Sequence, residues 1–203
     1  MSLLSIDEAI AKGMGRSLTV GSLTTPVGGG TVLLLAQPMV AIGVPSGYCI
    51  RPLRLSCQVQ PGLLAADNDE TEILFAVDSL GLWTGDGTST SEQPSNMRTD
   101  LKKGSACRVG SAFTANMTTT PTYGAAAAPV LDMELARLVQ QGDVQGVAAT
   151  VWQSQLQLVY EPQVPPFLVG PCTLLCYFGG TVATIGGFIQ AAYVEGRTEE
   201  FFV

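Results

Sequence analysis

An all-β fold, an antiparallel sandwich of about eight strands with two short helices in its connections, follows from three features of the sequence. Apolar and polar residues alternate with period two in several segments. Gly and Pro clusters punctuate those segments at short intervals. No strand–helix alternation of the kind that builds a parallel sheet occurs.

Ser5 followed by Glu8 forms a capping box, and Ile6, Ala9 and Ile10 have helical spacing, so a short helix opens the chain and ends at Gly13 and Gly15. Leu18 to Gly30 is uncharged and rich in Gly, Ser and Thr. It is expected to be an extended arm, hinged at Gly28-Gly29-Gly30, that docks on a neighbouring subunit. Strands are then expected at Thr31–Gln37 and Met39–Val44. In Cys49–Gln60, Leu53, Leu55, Cys57 and Val59 alternate with Arg54, Ser56, Gln58 and Gln60. In Glu70–Asp78, Ile73, Phe75 and Val77 share a face. Gly81–Lys103 is polar and reads as a long surface loop, followed by a strand at Arg108–Ala115. Leu131–Gln141 carries an apolar stripe of Leu131, Leu135, Leu138 and Val139, with acids early, Arg137 late and Gly142 after it. A second helix is expected there. In Trp152–Tyr160, Trp152, Leu156, Leu158 and Tyr160 oppose Gln153, Gln155 and Gln157. Phe167–Phe178 and Phe188–Glu195 complete the strands. The expected organisation is a helix and arm over residues 1–30 and one sandwich domain over 31–203.

Composition excludes several functions. Charged residues make up 13% of the chain, about half the usual share, and the net charge is -7, which argues against direct nucleic-acid binding. With no histidine, Ser-His-Asp and Cys-His catalysis and His-ligated zinc are ruled out. Neither Ser17–Ile50 nor Pro162–Val194 contains a single Asp, Glu, Lys or Arg. Gly and Pro interrupt both, so neither is a spanning helix, and the opening residues have no basic n-region before an apolar core. These stretches are expected to be strands covered on both faces, partly by the chain and partly by other subunits.

No catalytic motif is present, so the chain is not expected to be an enzyme, and no cofactor is implied. Cys49, Cys57, Cys107, Cys172 and Cys176 are odd in number; Cys49 and Cys57, eight apart, are expected on one strand face and Cys172 and Cys176, four apart, on another, which suits buried free thiols in a reducing compartment. Asp67, Asp69 and Glu70 form a candidate Ca²⁺ loop without the length or placed glycine of an EF-hand; a solvated turn accounts for them as well. Gly28-Gly29-Gly30 lacks phosphate-loop spacing. Lys102-Lys103, with Arg98 and Arg108, has acids interspersed and reads as a solvated loop. Asn116-Met117-Thr118 fits a glycosylation acceptor, discounted for want of a secretory route.

About eight strands, the arm Leu18–Gly30, long uncharged surfaces and free thiols together resemble the single jelly-roll structural proteins of phages and other icosahedral viruses. So does the ending Gly170-Pro171-Cys172-Thr173-Leu174-Leu175-Cys176-Tyr177-Phe178-Gly179-Gly180-Thr181, with Gly186-Gly187-Phe188-Ile189-Gln190-Ala191-Ala192-Tyr193-Val194. The resemblance implies a jelly-roll sandwich and a capsid, shell or outer-layer subunit, made in the host cytoplasm and located in the virion. It would assemble with itself, as a trimer or larger capsomer, and with other virion proteins. Leu18, Val20, Leu23, Val27, Phe167, Phe178 and Phe188 are then the expected assembly contacts. Many coats of this kind carry an Arg-rich arm, and this N-terminus has only Lys12 and Arg16, so no direct genome contact is implied. A lectin-like sandwich is the alternative, with Tyr48, Trp83 and Tyr123 as candidate sugar platforms.

Overall fold

A computed structural model describes residues 4–22, 24–29, 33–60, 69–121, 124–142, 156–180 and 185–201. Helix α1 (Ile6–Ala11) is where the capping box places it. The Ser5 hydroxyl accepts from the Glu8 N–H, and the Glu8 carboxylate accepts from the Ser5 N–H. The strands follow as β1 (Gly15–Val20), β2 (Val27–Gly28), β3 (Val40–Val44), β4 (Tyr48–Gln60), β5 (Asp69–Asp78), β6 (Gly81–Leu82) and β7 (Thr90–Glu92). Next come β8 (Ser95–Asn96), β9 (Arg108–Ser111), β10 (Thr120–Pro121), β11 (Met133–Gly142) and β12 (Leu156–Tyr160). The last three are β13 (Leu168–Val169), β14 (Cys172–Gly180) and β15 (Gly186–Arg197), with a 3₁₀ turn at Thr198–Phe201.

They form two large antiparallel sheets. One runs β12-β4-β15-β1-β8, with β13 beside β4 and β2 beside β15; the other runs β11-β5-β14-β3-β9-β7. The pairings are nested: β1 with β15, β3 with β14, β4 with β12, β5 with β11. The sheets share one core. Leu55, Cys57, Val59 and Ile189 meet Ile73, Phe75, Leu174 and Cys176 in a single buried cluster. Burying each such large side chain contributes about 1.5–3 kcal/mol.

Both outer faces are also covered. On the six-stranded sheet, Ala41, Leu74, Ala76, Leu175 and Tyr177 pack under Trp83, Phe113 and Met117 from the long β5–β11 connection. On the other sheet, Cys49 and Val194 lie under Leu4, Ala9 and Met14 around α1 and Phe201 of the terminal turn. This accounts for part of the charge-free sequence within one chain: every residue of β3 and β14 is buried. The chain itself covers both faces of these two strands, while Leu34, Leu35, Val164 and Val169 in the same charge-free stretches stay exposed.

Two further expectations are corrected. Leu131–Gln141 is no helix, because Met133–Gly142 is strand β11, paired along β5. A bulge between Glu134 and Ala136 interrupts its period-two pattern, so Leu135 and Leu138 both pack on the shared core three residues apart, as on a helix. Cys49 and Cys57 do not share a face. The register of β4 against β15 slips between Arg54 and Pro52, which turns Cys49 toward α1 and leaves Cys57 in the inter-sheet core. Of Thr31–Gln37, Leu35–Gln37 is turn-like and Leu33–Leu34 unassigned; Thr31 and Val32 lie outside the described residues.

The Leu18–Gly30 arm is also corrected in its first part. β1 pairs on one side with β15 over six residues and on the other with β8, and β2 also pairs with β15. Leu18 and Val20 therefore belong to the chain's own core. The polar Gly81–Lys103 segment is more than a loop. Its β7 extends one sheet, its β8 extends the other, and only Gln93 and Pro94 lie between them.

Candidate assembly surface

Among the described residues no cluster of three or more Cys, Asp or Glu could hold a metal. Of the candidate Ca²⁺ loop, Asp67 lies outside the described residues, while Asp69 and Glu70 pair along the β5 backbone with Gly142 and Gln141. All five cysteines are free and buried. Burial raises every thiol, to about 12 for Cys49, Cys172 and Cys176 and further for Cys57 and Cys107, so none is a nucleophile at neutral pH.

The buried charges are structural. Arg16 is 1% exposed and Glu195 4%, and they meet at 3.3 Å. Arg16 Nη1 donates to the Gly13 carbonyl at 3.0 Å and Nη2 to that of Gly104 at 3.0 Å. Glu195 accepts from the Ala106 N–H at 2.7 Å and from the Ser105 hydroxyl. The pair therefore ties β1 and β15 to the segment before β9. Asp78 accepts from the Gly81 N–H at 2.7 Å, the Thr119 hydroxyl at 2.6 Å and the Val130 N–H at 3.1 Å, which shapes the turn after β5. Lys102 and Lys103 are exposed; Arg98 pairs with Asp100 at 2.9 Å and Arg108 donates to the Thr84 carbonyl. Asn116 accepts from Gln37 Nε2 at 2.9 Å.

Of the candidate sugar platforms, Trp83 is not on the surface. Trp83 is 3% exposed, edge-to-face with Phe113 at 5.2 Å, and its indole N–H donates to the Asp86 carbonyl. It is a core residue. Tyr48 is half-buried against the shared core, and Tyr123 lies outside the described residues.

The expected assembly contacts separate into three groups. Leu18, Val20 and Phe178 are at most 4% exposed within this chain, which removes them from any outer surface. Val27 packs half-buried against the shared core, and Phe167 lies beneath the Arg51 guanidinium at 4.5 Å and edge-to-face with Phe201. Phe188 is half-exposed, on the face of β15 away from Ile189, and Leu23 lies outside the described residues.

The two flanks of the paired sheets differ. On one flank the end strands β7 and β8 are three and two residues long and joined through Pro94, so little free backbone is left. On the other flank the end strands are β12 and the ten-residue β11. There the core-facing Leu135, Leu138, Leu158 and Tyr160 are only half-buried, and Met133, Val139 and Val159 are exposed. Sequence reasoning missed this flank because the bulge in β11 made an end strand resemble a helix.

By register Gln60, Leu156 and Gly186 end neighbouring strands in one sheet, and Asp69, Gly142 and Gly180 do so in the other. Compared with family models, curated proteins and solved structures, the chain matches none.

Proposed function

We propose that the chain is a jelly-roll structural subunit of a virion, a capsid, shell or outer-layer protein that assembles with copies of itself. The nested pairing carries this reading. With β1, β3, β4, β5, β11, β12, β14 and β15 taken as first to eighth, first pairs with eighth, second with seventh, third with sixth and fourth with fifth. Such a chain is one long hairpin wrapped into two facing sheets, the two-Greek-key arrangement of jelly rolls, which recur in viral capsids, lectins and cupins.

Other observations favour the shell over its rivals. A cupin enzyme needs metal ligands, and the chain has no histidine. A lectin needs exposed aromatic faces, and Trp83 is buried. Five protonated thiols suit synthesis in a reducing host cytoplasm. Of the two basic residues near the N-terminus, Arg16 is consumed by Glu195, so that segment offers little to a genome. The chain's contacts would be with itself, in a trimer or larger capsomer, and with other virion proteins.

Electron microscopy of the purified chain, expressed alone, tests the reading. Closed particles of uniform diameter are expected. Single 21.2 kDa molecules that bind a glycan array would establish the lectin alternative instead.

A further inference from the structure

We infer that the free edge of β11 is an interface between two copies of this chain, which pair antiparallel across a two-fold axis and join their six-stranded sheets. The inference deepens the shell reading by naming one contact, and it can fail separately from it. A ten-residue end strand presents a row of backbone donors and acceptors to anything that can continue the ladder. Proteins blunt such edges with short strands, Pro, charges or bulges. The β7–β8 flank shows the first two; β11 is ten residues long and free of Pro, and its one bulge, between Glu134 and Ala136, leaves Arg137–Gly142 regularly paired along β5 with the opposite edge open.

The occupant follows from the side chains. A two-fold interface must be self-complementary, so whatever residue i meets, its copy must meet i in return. Within β11, Glu134 lies opposite Ala76 and Arg137 opposite Leu74, both on the outer face of the sheet. Residues three apart on a regular strand point to opposite faces; the bulge between Glu134 and Ala136 brings these two to the same one. Their carboxylate and guanidinium lie 2.8 Å apart and stay about half exposed. Glu72 completes the cluster.

An antiparallel pair in which Glu134 faces Arg137 of the second copy has opposite charges at both symmetric positions. The same register sets Met133, 39% exposed, opposite Leu138 of the second copy on the core-facing side, so both faces match. A register centred on Arg137 would place like charges in direct opposition. The sequence thus favours one register and one partner, a second copy of itself.

Cysteine cross-linking reads this register directly, because the five native thiols are buried. Glu134→Cys and Arg137→Cys chains, co-expressed, should form an interchain disulfide under mild oxidation. Either variant alone should not, since the Cα atoms of its two new cysteines would lie about 8 Å apart, beyond disulfide reach. In addition, Glu134→Lys and Arg137→Glu chains should each lose self-association at this edge, and the equimolar mixture should recover it. No disulfide in the mixture, equal disulfide in the single variants, or undiminished self-association of the charge variants would overturn the edge contact. Particles that assemble without the cross-link would leave the shell reading intact, whereas cross-linked dimers that never form particles would defeat that reading and leave the contact standing.

Discussion

Arg16 and Glu195 show how far a single residue can hide a strand. Arg16, Leu18 and Val20 all point inward on β1 while Ser17 and Thr19 point outward. The alternation is present but begins on a charge, so Leu18–Val20 reads as the start of an arm until Glu195 is seen beside Arg16. Removing one partner of a buried pair strands the other. Glu195→Ala is expected to lower unfolding stability in urea by about 3–5 kcal/mol, and an Arg16→Met/Glu195→Leu chain by much less. The thiols give a pH signature. In the folded chain Cys49, Cys172 and Cys176 hold their protons to about 12, while unfolded thiols release theirs near 9. The unfolded state then binds fewer protons above pH 9, so stability is full below that pH and falls between 9 and 12, by about 1.4 kcal/mol per unit per thiol. Urea midpoints measured from pH 7.5 to 10.5 should be level at first and then decline, and Cys172→Ala should make the decline shallower. Thiol labelling should be slow in the native chain and reach five equivalents on denaturation.

Strand faces were legible where pairing is regular. Ile73, Phe75 and Val77, and likewise Leu55, Cys57 and Val59, lie inward as their alternation requires. Two of the misread elements contain a bulge, one making β11 resemble a helix and one separating Cys49 from Cys57. A bulge depends on the partner strand, so nothing local in the sequence announces it. Helix α1 was legible because its signal, Ser5 and Glu8, is local. The reassignment of the N-terminal segment changes what truncation should do. Deleting residues 1–28 removes β1, which pairs on both sides, and should abolish cooperative unfolding by circular dichroism. A folded, assembly-deficient product would instead restore the arm. Deleting residues 1–12 uncovers Cys49, Val194 and Phe201 and should give a folded but less stable chain that binds a hydrophobic dye.

Across the whole molecule the apolar composition is spent first on internal covers. Two sheets, one shared core and an apolar layer on each outer face account for much of the charge-free sequence that first suggested subunit contacts. What is left for assembly is smaller and more specific: the β11–β12 flank and scattered side chains such as Val164, 82% exposed, and Leu80, 67% exposed. A net charge of -7 per chain opposes close packing, so added salt should help assembly at first. Contacts built from backbone ladders and apolar side chains should then survive further salt, with the Glu134–Arg137 pairs fixing register more than affinity. Sedimentation velocity of the purified chain, from low salt to about 1 M, where the screening length is about 3 Å, decides whether it assembles. One boundary of megadalton mass that persists at the highest salt is the expected result of assembly. A monodisperse 21.2 kDa monomer at every salt concentration would contradict it.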